Sequence, residues 1–197
     1  MSEPEMDYSD RLTQLEEKIK EVAQLEQRIK RLEEKLTLIT DIDRYQKLQE
    51  LLIAKEFKAA DLETKNLILA ITGERDMDDV TPNDIKQISC DSLRVIDRLW
   101  LDNSEQRFGY SVQLGIYLRV GGNAATLQTQ DVEIFQKYGE TVGWRVNNQW
   151  QVNNYDSWDF SLEAPKGCFP AVSWKSAYGL KMATNFLTRL LECELKI

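Results

Sequence analysis

The chain has 197 residues, enough for one domain of ordinary size with length to spare. Hydrophobic residues make up 42% and charged residues 29%, and the net charge of −8 disfavours a phosphate backbone as partner, so no nucleic acid is expected. There are no histidines, which removes the usual general base, the usual partner of a nucleophilic serine or cysteine, and the commonest metal ligand. No apolar run reaches membrane-spanning length, and the start "MSEPEMDYSD" is too acidic and polar for a signal peptide. Three cysteines, Cys90, Cys168 and Cys193, are too few and too scattered for a disulfide framework. The expectation is a soluble cytoplasmic protein in a reducing compartment.

In chain order, residues 1–40 come first and read as a coiled coil. Leu12, Leu15, Ile19 and Val22 step by three and four, as do Leu25, Ile29, Leu32, Leu36 and Ile39. The step from Val22 to Leu25 is a second consecutive three, a stammer that locally overwinds a supercoil. Glu16 with Lys20, and Glu26 with Lys30, support the helix at i,i+4. Glycine is absent and proline occurs only at Pro4. So narrow a stripe wants a partner helix, and a homodimer through residues 10–40 is expected over docking on the same chain.

Residues 41–197 read as a globular domain. Tyr45, Leu48, Leu51 and Leu52 give a helical face, and "KEFKAAD" reads as a connection. Asp61 with Thr64 opens the next helix, which closes at Gly73. Thr81 is a natural N-cap, with Pro82 in the first helical position. "CDSLRVIDRLW" puts Leu93, Ile96 and Trp100 on one side of a helix capped by Asp91 or Ser92. Asp97 reads as a surface charge and Asp102 as the start of a turn. In "RFGYSVQLGIYLRV", apolar residues alternate from Phe108 to Val120, which by itself is a strand pattern, against a helical reading with spacing four. "VGWRVNNQWQVNNYDSWDFSL" is strand-like or loop-like. Leu180, Ala183, Leu187, Leu190 and Leu191 mark a C-terminal helix at about 176–194, with Phe186 on its flank.

Two chemistries are weak. Cys168, in "APKGCFP", has no histidine base, and a cysteine-only zinc site needs four thiolates. No metal is expected on the protein itself. Asp91, Asp97 and Asp102 surround Trp100, but their ordinary structural roles are the stronger reading. The aromatics remain. Trp100, Phe108, Tyr110, Trp144, Trp150, Trp158, Phe160, Phe169 and Trp174 cluster around glycine- and proline-containing connections, and several sit in polar sequence. Aromatics on loops suggest a cup for a flat apolar ligand or a protein partner.

Four stretches carry a resemblance: "AADLET" (59–64), "CDSLRVIDRLW…S…RFGYSVQ" (90–113), "VGWR…W" (142–150) and "FSLEAPKGCFP" (160–170). In order and spacing the chain resembles the genomes-uncoupled-four family of tetrapyrrole-binding proteins, accessory factors of magnesium chelatase in photosynthetic organisms. The resemblance covers about residues 43–172 and leaves out the coiled coil. It implies an all-α, cupped-hand domain with long aromatic loops, and so a helix rather than a strand over 108–120. It implies binding without catalysis. The expected ligand is protoporphyrin IX or a magnesium-porphyrin, with an open-chain bilin as the alternative, and the large subunit of magnesium chelatase is the expected partner. The implied palm is bounded by the loop around "RFGYSVQ" and the loop from "VGWR" to "APKG". Its candidate ligand-binding residues are Arg107, Phe108, Tyr110, Val112, Trp144, Arg145, Trp150, Trp158, Phe160, Cys168 and Phe169. Aromatic rings would cover the pigment faces, and Arg107, Arg145, Lys166 or Lys175 would meet the propionates. Where the family has Gly-His-Leu-Pro, this chain has Gly167-Cys168-Phe169-Pro170, and the arginines that follow in chelatase-active members are replaced by "AVSWKSAYG". A protein-interaction module using the same palm is the second reading.

Overall fold

The structure, a computed structural model, describes residues 8–171 and 176–195, with the side chains of 8–13, 30–42 and 152–153 outside the description. Trp174 and Lys175 lie outside the described residues, as do the side chains of Leu12, Leu32, Leu36 and Ile39. The chain divides into two units, Met1–Arg44 and Tyr45–Ile197.

In the first unit the described regular structure is helix α1, whose full span is Tyr8–Ile53. The absence of glycine and proline leaves nothing to interrupt it. Leu15, Ile19, Val22, Leu25 and Ile29 are all more than half exposed.

Among the described residues, the regular structure of the second unit is helical apart from one hairpin. The end of α1 buries Tyr45, Leu48 and Leu52, three positions on one helical face. Helix α2 follows at Phe57–Thr72 and ends on Gly73, whose positive φ and N–H to the Leu69 carbonyl close the last turn. Two expectations are corrected here. "KEFKAAD" is mostly helix, and Asp61 and Thr64 lie inside α2 rather than at its start. Both are buried, with partners distant in sequence. The Trp100 indole donates to the Thr64 hydroxyl at 3.0 Å.

Helix α3, Pro82–Gln87, starts on the Thr81 and Asp84 capping box. Helix α4, Cys90–Asn103, is capped by Ser89, which accepts from the Ser92 N–H, correcting the expected cap at Asp91 or Ser92. Asp91 instead pairs with Arg94. Asp102 stays within the helix and pairs with Arg98. Asp97 is no surface charge: it is buried, and its Oδ1 accepts from the Ser111 N–H at 2.8 Å and hydroxyl at 3.0 Å.

Residues Tyr110–Arg119 form helix α5, which settles the strand pattern in favour of the helix. Tyr110, Ser111, Val112, Gln113, Leu114, Ile116 and Tyr117 are all buried, so no face is left for the polar positions that mark an amphipathic helix. Ser111 is satisfied by Asp97, and the Gln113 amide donates to the Gly167 and Pro170 carbonyls at 3.0 and 2.8 Å. Helices α6, Ala124–Gln128, and α7, Val132–Thr141, follow, capped by Asn123 and Asp131. Strands β1, Arg145–Val146, and β2, Gln149–Trp150, pair antiparallel through Asn147 and Asn148, both at positive φ as a tight hairpin requires. A 3-10 segment spans Val152–Ser157. Helix α8 runs Leu180–Glu192.

The core is built around stacked and edge-on rings. Phe169 stacks on Phe160 at 5.2 Å, and Trp100 stacks on Phe57 and Phe169 at 6.1 and 6.2 Å. Cys90 and Cys193 form a disulfide, which runs against the expectation that three cysteines are too few and too scattered for a disulfide framework and against the reducing compartment inferred from it. Residues 103 apart in sequence meet because α4 begins where α8 ends. No described helix is long and apolar enough to cross a membrane.

Candidate functional site

A half-open cavity of about 450 Å³ lies in the second unit. That falls within the range of small-molecule sites, roughly 300–1,000 Å³. Helix α7 contributes Val132, Phe135 and Gln136 to one wall. The hairpin contributes Trp144 and Trp150, the segment after it Trp158, and the end of the described loop Ala171. Ser176, Gly179, and Leu180 and Ala183 of α8 complete the lining. No described lining residue is charged.

Each tryptophan has a local reason for its place. Trp150 lies across α7 at Gly139, where a Cβ would come within 2.4–2.5 Å of the indole. Its ring also packs on Phe135 at 5.5 Å. Trp144 is mostly buried, edge-on to Tyr138 at 5.6 Å, with its indole N–H donating to the Cys168 carbonyl at 2.8 Å. Trp158 donates to the Gln151 carbonyl at 3.3 Å and packs on Tyr155 at 5.5 Å. Trp150 is 38% exposed and Trp158 half-buried, so part of each of these two rings is left to face the cavity.

Of the eleven residues named from the sequence, Trp144, Trp150 and Trp158 line this cavity. The others stand elsewhere. Phe108, Tyr110, Val112 and Phe169 have no exposed surface and belong to the core. Phe160 is half-buried on Phe169, beneath the Lys58 ammonium at 5.4 Å. The Arg107 guanidinium donates to the Ala164 carbonyl at 2.9 Å, while the Arg107 carbonyl accepts from the Gly167 N–H at 2.8 Å. That arginine braces the 164–167 loop. Arg145 pairs with Glu140 and donates to Asn148 at 2.9 Å. Cys168 is buried, and burial, with the Asp61 charge adding to it, pushes its thiol up to about 12. A thiol so protected is a packing group rather than a nucleophile. No residue of the "RFGYSVQ" segment is among the described lining residues of this cavity.

Val132, Phe135, Gln136 and Leu180 are wall residues that sequence reasoning missed. The signal for α7 was present: Asp131 as cap, Val132 and Phe135 three apart, and a glycine two turns from the start. Among the described residues no cluster of three or more potential metal ligands occurs.

The GUN4-like family model matches residues 39–189. A chloroplastic tetrapyrrole-binding protein of Arabidopsis thaliana is 31% identical over 160 residues, covering 75% of this chain and 52% of the relative. A Ycf53-like protein of Synechocystis is 26% identical over 187 residues, covering 85% of this chain and 74% of the relative. The chain spans about half the length of the first curated relatives it matches. The ligand-free structure of Arabidopsis thaliana GUN4 superposes with a TM-score of 0.54 at 26% identity, covering 75% of this chain and 91% of that one. The Chlamydomonas reinhardtii GUN4 structure shares the fold with a TM-score of 0.52 at 22% identity, over 75% of this chain and 86% of that one. A helical unit of the same fold, matched by the family model over residues 39–189, leads to one conclusion: the chain belongs to the GUN4-like family.

Proposed function

We propose that this chain binds a tetrapyrrole in the cavity between α7, the hairpin and α8, and does not transform it. The observation that carries the reading is the wall, uncharged among the described residues, with Trp144, Trp150 and Trp158 in a GUN4-like chain. A tetrapyrrole has broad apolar faces and a charged edge. Indole rings cover such faces, and the open side leaves the propionates in water. The relative's description as a tetrapyrrole-binding protein supports the ligand class. The absence of histidine, and of charged groups among the described lining residues, supports binding over catalysis. Protoporphyrin IX and its magnesium form are the first candidates, and an open-chain bilin the alternative. Delivery of porphyrin to magnesium chelatase in the aqueous phase of a photosynthetic cell is the matching role. The exposed stripe on α1 supports a homodimer through residues 10–40, which would make the binder bivalent.

Titration with protoporphyrin IX, magnesium-protoporphyrin and biliverdin tests this, read by tryptophan quenching and by shifts of the pigment bands. Saturable binding at micromolar ligand, weakened in Trp150→Ala and Trp158→Ala, is expected. No saturable change with any of the three sinks the reading.

A further inference from the structure

We propose that Asp61 is the positioning residue of this cavity, a buried carboxylate in α2 that ties the Trp158 segment and the Ala171 segment into one wall. The inference rests on the reading of the cavity as a tetrapyrrole site. Asp61 is fully buried, although a carboxylate in the interior is costly unless hydrogen bonds satisfy it. Its two oxygens serve two different parts of the chain. Oδ2 accepts from the Tyr155 hydroxyl at 2.8 Å, across 94 residues. Oδ1 accepts from the Ala171 N–H at 2.6 Å, across 110 residues.

Each of those partners reaches the wall directly. Tyr155 packs against Trp158 at 5.5 Å and against Phe160 at 5.1 Å. Ala171 is itself a lining residue. A neighbouring tie runs from Lys58, one turn earlier on α2, to Asp156 at 2.8 Å, but both of its side chains are open to water. An exposed pair of that kind contributes little, about 0–1 kcal/mol. The buried carboxylate is therefore the stronger anchor. Burial and the Asp61 charge push the Tyr155 hydroxyl well above its ordinary pKa, so it remains a donor throughout the working range. A simple packing role would be filled more cheaply by an apolar side chain. A short polar side chain with two hydrogen-bonding atoms is needed because one small group must hold two separate segments.

Three variants separate positioning from stability. Tyr155→Phe deletes one bond and leaves Asp61 in place. Asp61→Asn keeps an acceptor for Ala171 and can meet Tyr155 with its amide. Asp61→Ala removes both ties. With protoporphyrin IX as probe, Tyr155→Phe should weaken binding about five-fold or more, the scale of one lost hydrogen bond. It should also change the induced circular dichroism of the bound pigment, which reads ring orientation. Asp61→Asn should bind within about two-fold of wild type, and Asp61→Ala should lose about ten-fold or more. Thermal midpoints give the folded fraction for each. Unchanged affinity and dichroism in Tyr155→Phe, or losses that merely follow the folded fraction, overturn the proposal. Acrylamide quenching without pigment keeps the test independent of the ligand. The Trp158 contribution, taken by difference against Trp158→Phe, should become more accessible in Tyr155→Phe. If wild type binds no pigment, the functional reading fails while this quenching result still decides the role of Asp61.

Discussion

Gly139→Ala sets two effects of one methyl group against each other. Gly139 lies inside α7, where glycine costs about 1 kcal/mol relative to alanine. Nothing in the backbone of a helix interior needs glycine, so the helix itself gains from the substitution. The new Cβ, however, would lie 2.4 and 2.5 Å from two ring carbons of Trp150, and 3.4 Å from the Arg145 Cβ. Something must shift, and the part free to do so is the indole, which is 38% exposed. Its displacement takes one stacking face out of the cavity. An aromatic pair contributes about 0.5–1.5 kcal/mol beyond its area, so pigment affinity should fall about two- to twelve-fold. The thermal midpoint should move by only a few degrees, because the helix gain offsets the lost contact. Isothermal titration with protoporphyrin IX and a thermal melt on the same preparation check both halves. Unchanged affinity would show that Trp150 does not meet the ligand. A midpoint lowered by more than about 10 °C would show that the hairpin cannot yield, and that Gly139 serves the fold instead.

Other expectations follow from the same structure. With its thiol near 12, Cys168 should resist maleimide at pH 8 in the folded protein, where only about one molecule in ten thousand is thiolate, and label after denaturation, as mass spectrometry will show. Reducing Cys90–Cys193 should cost up to about 4.7 kcal/mol by the loop-closure argument for a ring of this size, a fall of about 10–20 °C in a melt with and without dithiothreitol. Burial raises the Asp97 carboxyl above its ordinary 3.8, against the Ser111 hydrogen bonds that lower it. The folded state then holds that proton longer than the unfolded chain, so this contribution to stability declines as pH rises from 3.8 through the folded value. Asp97→Asn should flatten that slope in urea titrations across pH. Removal of residues 1–40 should convert the dimer to a monomer in light scattering, and an unchanged number of subunits would refute the α1 dimer.

Local rules were enough for some elements and misleading for others. Thr81, Pro82 and Asp84 make a capping box from adjacent residues, so that boundary was legible from the sequence. The alternation over 108–120 imitates a strand because Tyr110–Leu114, Ile116 and Tyr117 of α5 are all buried. Ser111 and Gln113 then fall between apolar neighbours as polar residues do on a strand, although each is satisfied by a distant partner. Asp61 and Asp97 were misread for a related reason: their partners lie on other elements, up to 110 residues away. The aromatic richness pointed to a cup, but ring count alone could not sort core from lining. Phe108 and Phe169 fill the interior, while Trp150 reaches the cavity because Gly139 leaves room beside it.

The disulfide also has a topological consequence. Every described residue of the cavity wall lies between Val132 and Ala183, and so within the covalent circle closed by Cys90 and Cys193. Even when unfolded, the cavity-forming part of the chain remains within a covalently closed loop. A single protease cut anywhere in that circle leaves the two pieces joined. The nicked protein keeps its mass on a non-reducing gel and separates into fragments only when the thiols are released.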